Sequence, residues 1–594
     1  MKTRIRPQIE SLEGRAMMAA GALDPTFAGT GMVTTQLGGT LAGTVAVQAD
    51  GKIVAANSST YVSTGGYVLN HMALVRYNVD GTLDATFGVG GEVVIPGWSS
   101  TSREYVNSIA IQGDGKIVAV GALVPTMFNK KGYNPYAPAG WEVVRINPGG
   151  SLDTSFGAGK GRVFTDPTPN DDIPNAVALQ ANGKIVVAGY IVSSTSTGED
   201  IGVMRYNTDG SLDSTFGNAG IVETSPGNVN GADDAYALAI DPSGRILIAG
   251  FTGYDSTTGL PSRPDLLRYM PSGILDPSFG SGGLATIPSS FNFGAFYGVG
   301  LQSTGKIVVS VAGDMARYNS DGSLDDGSAA DTTPGDHFGT QGIFRDPRIL
   351  GSSRKTLVIQ GDDKPVIAGQ AYLNGARVNQ FFAERVMADG TVADATFGSN
   401  GLAEADFGGT SARPYSIALA PDGKIVLAGG SSSQSSSGQF ATARFLGDPS
   451  STATTLVTSA NPSAYGQSVT FTATVASGRA STPSGTVQFF DGSALLGSGS
   501  LGTVGGVTTA TFATASLAAG THSITASYGG DFNDLGSTSA LLSQVVNASA
   551  PAAFVSRSNQ PSSAASLPGP SLVPLILDEP NFLDSLARGK RRQA

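Results

Sequence analysis

The chain has 594 residues, room for several domains, with 81 glycines, 14% charged residues and a net charge of −11. That composition suits a β-rich chain with many tight turns. Without a basic cluster among the repeats, neither nucleic acid nor an anionic lipid surface is an expected partner. There is no cysteine, so disulfides, thiol nucleophiles and thiolate metal sites are excluded, and no apolar run reaches the roughly 18–20 residues of a membrane span.

Residues 1–22 open with Lys2, Arg4 and Arg6, and the apolar stretch Ala16–Ala20 is too short for an ordinary signal-peptide core. The string from Arg6 through Leu12-Glu13-Gly14-Arg15 to Met18 resembles an export-associated leader of large planctomycete-type proteins; a frayed tail is the structural alternative.

From Leu23 to Gly447 three markers recur, each seven times. A phenylalanine returns as Phe27, Phe87, Phe156, Phe216, Phe279, Phe338 and Phe397, in steps of 59 to 69 residues. A basic residue after a turn returns as Lys52, Lys116, Lys184, Arg245, Lys306, Lys364 and Lys424. An arginine returns as Arg76, Arg145, Arg205, Arg268, Arg317, Arg385 and Arg444. In the unit that starts at Leu152, four strands are expected over 161–165, 176–180, 184–190 and 201–207, with Asn182-Gly183 favouring a two-residue type I′ hairpin. Runs such as Ile185-Val186-Val187-Ala188 are apolar on both faces, so their sheets must be covered on both sides. The pattern predicts an all-β chain: a seven-bladed β-propeller of four-stranded blades over 23–447, with a linear solenoid as competitor. Ring closure would put Leu23–Phe27 beside the last unit, which lacks its own Leu-Asp-x-Thr-Phe-Gly.

These repeats resemble the delta-60 repeat family, through Asp-Gly-Lys-Ile-Val and Arg-Tyr-Asn-x-Asp-Gly-Ser-Leu-Asp-x-Thr-Phe-Gly. The resemblance implies a β-propeller and no assigned biochemical activity. Departures fall in the fifth unit, with an insertion over Asp326–Asp336, and in the sixth, where Pro365 replaces an isoleucine.

After a linker at 448–451, residues 452–547 alternate polar and apolar, as in Ser468–Val475, Gly485–Phe490 and Thr521–Tyr528, which predicts an immunoglobulin-like β-sandwich. Asn461–Phe471 and Tyr528-Gly529-Gly530-Asp531 resemble a bacterial immunoglobulin-like domain, which implies a spacer or adhesion module. Residues 548–594 begin rich in Ser, Ala and Pro without periodicity and are expected to be a disordered tail.

Chemistry is sparse. Asp-Gly-Lys-Ile lacks the longer glycine turn and helix of a phosphate loop. An aspartate at one repeat position (Asp24, Asp84, Asp153, Asp213, Asp276, Asp325, Asp394) is expected to accept hydrogen bonds from a turn and from the arginine, with the phenylalanine wedged between blades. Turns such as Asn78-x-Asp80-Gly81 hold oxygen atoms of the kind calcium takes, but Asx turns account for them and no cofactor is expected. His71, His337 and His522 have no ligand spacing. The loops between third and fourth strands vary most, and the longest carries Phe128, Lys130, Lys131, Tyr133 and Tyr136 as candidate binding residues; packing down on the propeller is their alternative role. Two function classes follow. One is a non-catalytic scaffold, secreted or on a bacterial surface, that binds an extracellular glycan or protein. The other is an extracellular hydrolase or lyase acting on polysaccharide in an axial pocket, which needs two converging carboxylates there.

Overall fold

The computed structural model describes residues 20–548, apart from 37–38, 63–67, 100–101, 125–127, 130–131, 134–138, 193–197, 227–230, 255–262, 289–293, 312–313, 334, 347, 349–355, 374–375, 409–410, 434–435, 480 and 532. Of the expected leader over 1–22, residues 1–19 lie outside the described residues. The amide of Gly21 donates to the carbonyl of Leu446, and the carbonyl of Ala22 accepts from the Leu446 amide, so the leader's expected last residues belong to the repeats. Of the expected tail over 548–594, residues from 549 lie outside the described residues. Among the described residues every element is a strand.

One sheet shows how the repeats fold. Ile173–Leu179, Ile185–Val192, Glu199–Tyr206 and Ile221–Thr224 pair antiparallel in chain order. Consecutive residues of its second strand point to opposite faces. Ile185 and Val187 join one core with Val118 and Val120 of the preceding repeat, while Val186 and Ala188 join another with Ile246 and Ile248 of the following one. All four are fully buried. The doubly apolar run thus feeds two interfaces at once, as stacked sheets require.

The repeat read in the sequence and the sheet are out of phase by one strand. Arg162–Thr165, the first strand of the unit that starts at Leu152, pairs with Gly140–Ile146 of the preceding sheet. The stagger recurs to the end of the region, where Ser411–Leu419, Ile425–Ser433 and Ser436–Phe445 are joined by Met32–Thr35 from the other end of the chain. Leu23 bridges Phe445, and the amide of Asp24 donates to the carbonyl of Arg444 at 2.9 Å. Ala20 is buried in the same core, and its carbonyl accepts from the amide of Gly398 at 2.7 Å.

The hairpin turn also differs from the expected type I′. The amide of Gln180 donates to the carbonyl of Lys184, and that of Gly183 to the carbonyl of Gln180, so three residues form the loop and only Gly183, at φ +82°, is left-handed. That is a type I turn followed by a glycine bulge, open to the preceding residue without a positive φ. In the sixth repeat Asp363 takes the glycine position at φ +65°, and Pro365 opens its strand, where a missing amide is tolerated.

Residues 452–547 form two sheets. One holds Thr452–Thr458, Val469–Ser477, Val507–Thr514 and Gly502–Val504; the other is built around Gly520–Tyr528. Val469, Phe471, Ala473 and Val475 alternate into the core between them, against Val487, Phe489 and Ile524. The segment joining this domain to the repeats is tied at both ends. Asp448 accepts from Arg385 Nη1 at 2.8 Å and Nη2 at 2.9 Å, and its carbonyl accepts from Arg479 at 3.0 Å.

Candidate functional site

The repeated charges form an interlocking latch. Asp213 Oδ1 accepts from the amide and hydroxyl of Thr215, at 3.1 and 2.7 Å, while Oδ2 accepts from Arg205 Nε and Lys184 Nζ, both at 2.6 Å. Arg205 lies 4.5 Å over the Phe216 ring and donates through Nη1 to the carbonyl of Pro271 in the next repeat, at 2.5 Å. Burial alone would raise the Asp213 carboxyl, but Lys184, Thr215 and Arg205 outweigh it and hold it well below the usual range. The last latch is made by residues 420 positions apart: Arg444 Nε donates to Asp24 at 2.8 Å, with Lys424 at 3.6 Å. In the fifth repeat the insertion supplies a second carboxylate, Asp336, to Lys306 and Arg317 at 3.0 and 2.9 Å. In the sixth, Asp448 takes the arginine's outer nitrogens. A carboxylate paired with the arginine in every repeat holds sheets together; in the fifth, where Asp325 Oδ1 has no partner among the described residues, burial outweighs Lys306 and Arg317 and raises the carboxyl.

The inner strands wall a cavity of about 340 Å³, and every sheet of the repeat region contributes to it. Register shifts between Pro174 and Ala176, Ala235 and Ala237, Phe296 and Gly298, and Pro414 and Ser416 leave Asn175, Tyr236, Tyr297 and Tyr415 as bulge residues, and all four line the cavity. Gly43 and Asn107 complete the described part of this ring. Tyr236 and Tyr297 stack, with ring centres 5.3 Å apart at 27°. Asn175 Nδ2 donates to Asp234 Oδ1 at 2.9 Å, and Asn107 Nδ2 to the carbonyl of Pro174 at 2.7 Å. The described wall carries no charged side chain.

A second cluster breaks the repeat pattern. Trp98, 36% exposed, donates through its backbone amide to Glu104 Oε1 and through its indole to Glu142 Oε1, both at 2.7 Å. Arg162 Nη1 lies 3.7 Å from Glu104 and 3.3 Å from Glu142, and Lys160 and Arg162 each stand 5.4 Å from the indole centre. His71 Nδ1 is 3.5 Å from Glu104 Oε2. Burial and the neighbouring Glu104 push the Glu142 carboxyl up to about 8, against the pull of Arg162. Both carboxylates are fully buried.

The loop expected to bind falls mostly out of view. Phe128–Asn129 and Gly132–Tyr133 pair as a short hairpin, with Tyr133 opposite Phe128; Lys130, Lys131 and Tyr136 lie outside the described residues. Neither the bulge ring nor the Trp98 cluster was foreseen. The ring has a signal: each member stands nine residues before the repeat's basic residue, as Asn175 before Lys184 and Tyr236 before Arg245. Among the described residues no helix is long and apolar enough to cross a membrane, and no three His, Asp or Glu side chains are placed to hold a metal.

A family model described as "Domain of unknown function (DUF5122) beta-propeller" matches residues 48–87, 138–156, 180–216, 242–279, 302–327 and 420–448. Another, "Bacterial Ig-like domain (group 3)", matches 454–547. No curated protein sequence matches the chain. Similar solved structures include a protein of unknown function from Dyadobacter fermentans, 13% identical over 58% of this chain and 94% of that one, with a TM-score of 0.34. A protein from Bacteroides caccae is 11% identical over 59% and 98%, with a TM-score of 0.30. A gluconolactonase from Xanthomonas campestris is 13% identical over 57% and 85%, with a TM-score of 0.28. The chain thus joins a β-propeller region of the DUF5122 family, with its delta-60-like repeats, to a bacterial Ig-like domain of group 3.

Proposed function

We propose that the repeats over 23–447 close as a seven-bladed propeller and that the chain is a non-catalytic scaffold, secreted or displayed on a bacterial surface. In this reading residues up to 19 serve export, the module over 452–547 spaces or anchors the ring, and 548–594 is a tail. The observation that carries it is the division of labour among side chains. The repeated Lys, Asp and Arg are consumed by the latches, and the described wall of the axial cavity is uncharged and partly aromatic. Such a wall suits binding. The competing reading, a polysaccharide hydrolase or lyase acting in that cavity, needs two carboxylates there, and none lines its described part. The buried pair Glu104 and Glu142 is spent on holding Trp98 and Arg162. The test is a glycan array probed with the purified full chain, with bound glycans analysed afterwards for cleavage. Retention of intact glycan is expected; shortened or unsaturated products would replace the scaffold by the enzyme.

A further inference from the structure

The cavity wall is uneven around its axis. In consecutive sheets, Asn107 and Asn175 make an amide arc, and Tyr236 and Tyr297 an aromatic one. Tyr415 follows on the far side, beside Gly43. Gly43 is set by the packing of the first sheet on the last, because a Cβ there would come within 2.5 Å of the Phe440 ring.

Each wall group favours one class of ligand. Tyrosine rings take the C–H faces of a sugar ring and exclude water from them. The amide N–H groups of Asn107 and Asn175 are held by the next sheet, which leaves their carbonyl oxygens as acceptors for hydroxyl donors. Ser416 already accepts from the amide of Val45 at 3.1 Å and keeps its own hydroxyl hydrogen to donate. Those carbonyl acceptors would meet a carboxylate or sulfate lone pair against lone pair, so neutral hydroxyl groups suit them better. The volume of about 340 Å³ lies at the small end of the roughly 300–1,000 Å³ of small-ligand sites.

We propose that the axial cavity binds an uncharged oligosaccharide, a sugar ring stacking on the Tyr236–Tyr297 pair while hydroxyls donate to Asn107 and Asn175. This rests on the reading of the ring as a binding scaffold and names its ligand class.

The test is calorimetric titration of the full chain with cellohexaose, xylohexaose, mannohexaose and the hexamer of N-acetylglucosamine, with oligogalacturonate as the charged comparison. At least one neutral sugar is expected to bind, and oligogalacturonate to bind more weakly. Tyr297→Ala should loosen the neutral sugar by about tenfold or more. Tyr297→Leu keeps a branched apolar side chain there while removing the aromatic face, and should give the same loss in a chain that melts like the parent. Failure of all four neutral sugars, preference for oligogalacturonate, or an unchanged affinity in Tyr297→Leu would overturn the assignment. If the chain still retained a glycan or a protein surface with Tyr297→Leu neutral, the cavity assignment would fall and the scaffold would stand. Appearance of cleaved sugar would remove the scaffold reading itself.

Discussion

Glu142 shows what a single residue can reveal that a repeat cannot. At the corresponding place, three residues before the arginine, the first repeat has Ala73 and the third has Gly202. In the second repeat a fully buried carboxyl stands there, facing Glu104 on one side, Arg162 on another and the Trp98 indole above, with Phe164 opposite it in the sheet. Burial and the neighbouring Glu104 outweigh the pull of Arg162, so the Glu142 carboxyl keeps its proton to higher pH. The folded carboxyl titrates at about 8 against an ordinary 4.5, so the folded state holds a proton that the unfolded chain releases. Its contribution to stability is therefore present in full below about pH 4.5 and declines as pH rises toward about 8. Glu142→Gln preserves an acceptor for the indole and has no proton to lose. Melting curves at pH 5 to 8 should show the variant gaining on the parent as pH rises; parallel curves over that interval would contradict the raised Glu142 carboxyl.

At the scale of elements, much was readable and the reasons for the rest are physical. The strands of the second domain were found nearly in place, Val469–Ser477 for an expected 468–475, because one face is wet and alternation is plain. The strands of the repeats were found as well, since short apolar runs bounded by glycine turns such as Asn182-Gly183 read as buried strands. Their grouping was misjudged by one strand, because the sequence period is the same wherever the cut is made; only pairing such as Val143 with Val163 shows the sheet boundary. The turn type was missed because Asn-Gly serves both a type I′ turn and a type I turn with a bulge. Trp98, Glu104 and Glu142 were invisible as a group, for they are unrepeated and come from three elements. The joining segment 448–451 carried no sign of being fastened, yet Asp448 substitutes for the backbone carbonyl that receives the arginine in earlier latches, such as that of Thr208 for Arg145. Removing it leaves Arg385, fully buried, with Asp394 alone as its carboxylate partner. Asp448→Ala should cost about 1–3 kcal/mol in denaturant unfolding and speed protease cleavage near the joint. An unchanged midpoint and cleavage rate would show that the clamp contributes nothing.

For the whole molecule, everything said of the axial cavity depends on closure. The described sheets contact one another in sequence, and the first and last share a core in which Val45 and Ile53 meet Val426 and Ala428. The chain seals that joint by lending its first strand to its last sheet, which couples closure to chain entropy: about 400 residues must be ordered before the two ends gain from meeting. Once formed, the joint has a latch like every other, with Asp24 in the aspartate position and Arg444 in the arginine position. The absence of native cysteine makes this joint directly testable. Thr34 and Ala441 are partners across the closing strands, and paired positions in antiparallel strands lie about 4.5–5.5 Å apart at Cα, within reach of a disulfide. In the Thr34→Cys, Ala441→Cys chain, mild oxidation at low protein concentration should give a monomer with both thiols consumed, read by mass spectrometry and thiol labelling. Free thiols, or covalent dimers in place of the cross-linked monomer, would contradict the closed ring and with it the axial binding site.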